Sequence, residues 1–126
     1  MDILNKEELG LLCKVGFMAC ASGKVNEGRE IFESLQIALP ESVGPQIGMA
    51  FSYMIVDNFE KCDSTLKEIL EKDELNYDAK GLLALSLALQ KKDDEVRELV
   101  ATLKEDCGTG YALAQSALEF VNNRIG

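Results

Sequence analysis

The chain has 126 residues, 13 Lys and Arg against 22 Asp and Glu, a formal net charge of -9 and no histidine. That length suits a single domain with a real core. The acidic balance argues against nucleic acid, because nothing would drive counterion release, and equally against an anionic membrane surface. The four cysteines, Cys13, Cys20, Cys62 and Cys107, form no CxxC pair. Without histidine or such a pair no metal or cofactor is expected. The thiols read as small apolar residues in a reducing compartment.

In chain order, Met1 to Leu4 is a short lead that could pack on the first helix through Ile3 and Leu4. Asn5 with Glu8 three residues on is a capping pair for a helix reaching about Ser22, where Gly23 ends it. The apolar run in that segment is faintly like a signal peptide. Its leader carries Asp2, Glu7 and Glu8 in place of a basic region, so the helix reading is preferred. A second helix from about Val25 to Ala38 puts Ile31, Leu35 and Ala38 on one face and Glu27, Glu30 and Glu33 on the other. Ser42 could cap the third, with Pro45 in its first turn, where a missing N–H costs little. Asp57-Asn58 turns the chain, and Lys61 to Lys72 is the fourth helix.

Asn76 caps the fifth helix, which runs through the almost wholly apolar Gly81 to Leu89. A helix apolar on most of its circumference is buried or awaits a partner. The sixth is expected from Asp93 to about Glu105, its acidic start suiting the helix dipole. Cys107-Gly108-Thr109-Gly110 breaks it, and a seventh from Tyr111 to Asn123 should cap the array. No run is long enough to span a membrane.

These helices repeat. Gly16, Gly28 and Phe32 recur about 34 residues on as Ala50, Cys62 and Leu66, and again as Ala84, Val96 and Val100. Small residues are needed where helix axes approach most closely, and large ones fill the space beside them. Leu12, Val15, the turn Gly23–Glu27 and Pro40 complete the pattern in the first copy. The chain thus resembles the tetratricopeptide-repeat family across about Leu9 to Val121. The resemblance implies an all-α fold, an α-solenoid of three helix pairs over residues 9–42, 43–76 and 77–110, plus a capping helix over 111–123.

In that family the first helix of each repeat lines a concave partner-binding groove. Carried onto this chain residue by residue, the resemblance implies a groove of Cys13, Phe17, Cys20, Ile47, Phe51, Met54, Ile55, Leu85 and Leu89. The Lys, Arg and Asn with which one subgroup grips a peptide carboxylate are replaced here by Cys13, Phe17, Gly48, Asp78 and Leu82. An apolar groove suits an amphipathic helix instead. Two alternatives stay open: Phe17, Phe51 and Leu85 could be inter-repeat core, or could face a second copy in a homodimer.

No catalytic constellation is found: the commonest general base is absent, and Gly44-Pro45-Gln46-Ile47-Gly48 lacks the lysine and spacing of a phosphate loop. A non-enzymatic role is expected. Size, three repeats and an oily groove resemble the small tetratricopeptide chaperones of bacterial type III secretion, especially those of the needle subunit. That resemblance implies a bacterial cytoplasmic protein masking an amphipathic helix of a small secretion subunit, with a small co-chaperone as a further partner. A general adaptor of the same fold, or a chaperone of the larger translocators, is the alternative.

Overall fold

The computed structural model describes residues 5–103 and 108–124. Among them are seven α-helices and no strand: α1 (Lys6–Ala21), α2 (Val25–Ala38), α3 (Val43–Ile55), α4 (Phe59–Lys72), α5 (Tyr77–Leu89), α6 (Asp93–Ala101) and α7 (Thr109–Arg124). The all-α, helix-pair architecture is the one the sequence predicts. The chain divides into two compact units, Met1–Cys62 and Asp63–Gly126, which are described separately below. The expected packing of Ile3 and Leu4, and Cys107, lie outside the described residues.

Local signals explain most helix ends. Asn5 Oδ1 accepts the Glu8 amide at 2.8 Å while Glu8 reaches back to the Asn5 amide at 3.5 Å, a complete capping box. Asn76 Oδ1 accepts the Ala79 amide at 3.0 Å and starts α5. Ser42 stands at the cap of α3 but makes no side-chain capping bond; Gln46 Nε2 donates to the Ser42 carbonyl at 3.5 Å. Asn58 Oδ1 accepts the Lys61 amide, so α4 begins at Phe59, two residues before the expected Lys61. The sixth helix stops at Ala101, short of Glu105, where the Thr102 hydroxyl donates to the Leu99 carbonyl.

The turn inside each helix pair has one geometry. Gly23, Asp57 and Lys91, at corresponding repeat positions, all take positive φ, at 89°, 62° and 62°. The amides of Lys24, Asn58 and Lys92 then bond back to the carbonyls of Ala19, Tyr53 and Leu87, closing the same left-handed helix stop three times. Only the first copy uses the residue for which this backbone is easy.

In the first unit α1, α2 and α3 pack on one another. Phe32 of α2 is fully buried, and its ring occupies the space a side chain would need at Gly16 of α1 and at Gly48 of α3. A Cβ at Gly16 would stand 2.7 Å from the ring, and one at Gly48 would overlap it. Gly28 in turn admits the Cys20 sulfur and the Gly16 carbonyl. These glycines are what let three helices close around one aromatic ring.

In the second unit α5 packs most extensively on α7, with α6 against both. Gly81 of α5 faces the Gly110 carbonyl, and Gly110 faces the backbone of Tyr77 and Asp78, so these helices cross almost backbone to backbone. Gly110 therefore lies inside α7 and is not the helix breaker its neighbours suggested; its role is close approach. Where α1 offers Cys13, Phe17 and Cys20, α7 has Gln115, Glu119 and Asn122, a polar finish to the repeat pattern.

Candidate functional site

Burial follows the repeat so closely that it sorts the predicted groove residues by row. Cys20, Met54 and Ala88 occupy one row and all are buried, at 0%, 6% and 0% exposure. The Cys20 sulfur lies against the backbone of α2 at Gly28, so this row packs each first helix into the protein. Ile47 is also buried, at 9%. Cys20, Ile47 and Met54 thus belong to the core and offer a partner almost no surface.

The other predicted positions keep surface. Phe17, Phe51 and Leu85 form the next row, all half-buried, and Ala21, Ile55 and Leu89 form an exposed one. Ile55 is 38% exposed and Leu89 47%. Cys13 is half-buried beside Gly44 of α3. In the first unit the structure brings Phe17 and Phe51 together, ring centroids 5.3 Å apart and tilted at 55°. Phe17 also meets Phe32 edge-on at 5.2 Å. Phe17 and Phe51 thus share in the core of the first unit, as the inter-repeat alternative expected, while each stays half-buried and keeps some surface.

This exposed surface is a face of Phe17, Phe51, Ile55, Ala21 and Cys13 on α1 and α3. In the second unit Leu85 and Leu89 hold the corresponding places on α5. The chemistry on offer is apolar contact. Burial pushes the Cys13 thiol above its ordinary value, so it is a neutral, weakly polar group here. Burial likewise raises Cys20, opposed in part by the positive charge of Arg29. A cleft of about 320 Å³ lies elsewhere in the same unit, between the start of α1 and the α2–α3 loop, lined by Asn5, Leu9, Leu39, Pro40 and Ser42 among others. Lys6 and Glu41 also line it.

Sequence reasoning missed a polar pin. Arg29 Nε of α2 donates to Ser52 Oγ of α3 at 2.9 Å, and its guanidinium lies 4.8 Å over the Tyr53 ring. One repeat on, Ser86 Oγ of α5 donates to Asp63 of α4 at 2.6 Å, with Gln90 on the other carboxylate oxygen at 2.7 Å. Both pairs are 23 residues apart. The recurrence of Ser52 as Ser86 was the available signal, hidden because the partner changes from Arg to Asp.

Paired helices in one register, small residues at the crossings and a recurring half-exposed apolar row define a tetratricopeptide-like helical-repeat protein. Residues 15–109 match the family model described as coatomer epsilon subunit, about three quarters of the chain, and the chain belongs to that family. No curated protein matches it, and no solved structure does. The family supports the helical repeat; it lends no support to the type III secretion resemblance. No helix among the described residues is long and apolar enough to cross a membrane.

Proposed function

We propose that the chain is a non-enzymatic adaptor that seats an amphipathic helix of a partner protein on the first-helix face of Phe17, Phe51 and Ile55. The observation that carries this reading is the repeated row: Ala21, Ile55 and Leu89 are apolar and exposed at one repeat position, beside a half-buried row of Phe17, Phe51 and Leu85. Solvent-facing apolar residues in register are what a helix presenting i, i+3, i+4 and i+7 side chains requires. Membership of a family named for a coat subunit favours a role inside a larger assembly.

The finer reading, a cytoplasmic chaperone masking a needle subunit in type III secretion, uses the same face and the same partner chemistry. It rests on groove character and size alone. The test is co-purification of wild type beside Ile55→Glu, with helix content followed by circular dichroism. Ile55 is preferable to Phe51, whose ring also supports Phe17. Loss of one partner with helix content unchanged supports the adaptor reading, and the identity of that partner separates coat-type assembly from secretion. Partners retained by Ile55→Glu but lost on charge reversal at Glu27, Glu30 and Glu33 would move the site to the acidic face of α2.

A further inference from the structure

We draw no further inference here: the strongest candidate, the side-chain cluster in which Arg29 of α2 and Lys61 of α4 lie 4.8 and 5.4 Å from the centroid of the Tyr53 ring of α3, is accounted for by those ring contacts and by the bond from Arg29 to Ser52, and nothing in the structure shows an anion or a partner that would cover it.

Discussion

The ring of Phe32 fills the space beside Gly48, leaving no room for even a methyl group there. Phe32 is on α2 and Gly48 on α3, so this one contact sets how closely the second helix of one repeat meets the first of the next. Gly48→Ala must push the ring or the helix aside and should cost about 1–3 kcal/mol in a urea melt, with Gly16→Ala behaving alike. Gly10 is the contrast: nothing lies within 4 Å of a Cβ there, and it is an exposed position within α1. Gly10→Ala should stabilise by up to ~1 kcal/mol through helix propensity alone. Equal effects at Gly10 and Gly48 would show that Phe32 is not wedged as described.

Much of this was legible in the residues. Gly16, Gly28 and Phe32 recur at the repeat interval, and a small–small–large pattern at helical spacing has few other uses. Asn5 and Asn76 announced their helices because an amide side chain before an apolar run has an orphan N–H to accept. The inner face was harder. Cys20, Met54 and Ala88 lie one residue before the exposed Ala21, Ile55 and Leu89, and a step of 100° around a helix carries a side chain from core to solvent. Family positions cannot resolve such a step where both rows are apolar; burial can. Gly110 was misjudged because glycine marks both helix ends and close crossings, and only the backbone of Tyr77 beside it decides between them.

The three left-handed turn residues give a second prediction. Gly23, Asp57 and Lys91 share one backbone conformation, which costs an L side chain roughly 1–2 kcal/mol and glycine little. Gly23→Ala should destabilise the chain by about 1 kcal/mol although no atom lies near its Cβ. Lys91→Gly should be neutral or stabilising, the relief of strain being offset by the greater freedom of an unfolded glycine. Thermal melts of the two variants moving in the same direction would contradict the shared turn geometry.

Arg29 and Ser52 allow the polar pin to be measured. Ser52 Oγ also donates to the Met49 carbonyl at 2.6 Å, so losing Arg29 does not leave the hydroxyl unsatisfied. Arg29→Met should therefore cost about 1–2 kcal/mol, part of it from the stacking on Tyr53. A double-mutant cycle with Ser52→Ala should return a coupling of about 0.5–1.5 kcal/mol. Ser86→Ala should cost more than Ser52→Ala, since it removes a donor from the buried carboxylate of Asp63.

The buried thiol supplies the last prediction. Cys20 is fully inaccessible and its pKa is raised above the ordinary 9.0 by burial, with Arg29 pulling the other way. Iodoacetamide at pH 8 should modify the half-buried Cys13 before Cys20, and Cys20 only at the rate of local opening. The sign of the pH effect follows from the same shift. Above pH 9 the unfolded chain gives up its thiol proton while the folded chain retains it, so the folded state binds more protons and stability falls as pH rises. Urea midpoints should therefore decline from pH 9 upward, and Cys20→Ala should flatten that decline. Arg29→Met should steepen it, because removing the guanidinium takes away the charge that favours the thiolate. A slope unaffected by either substitution would place the proton elsewhere.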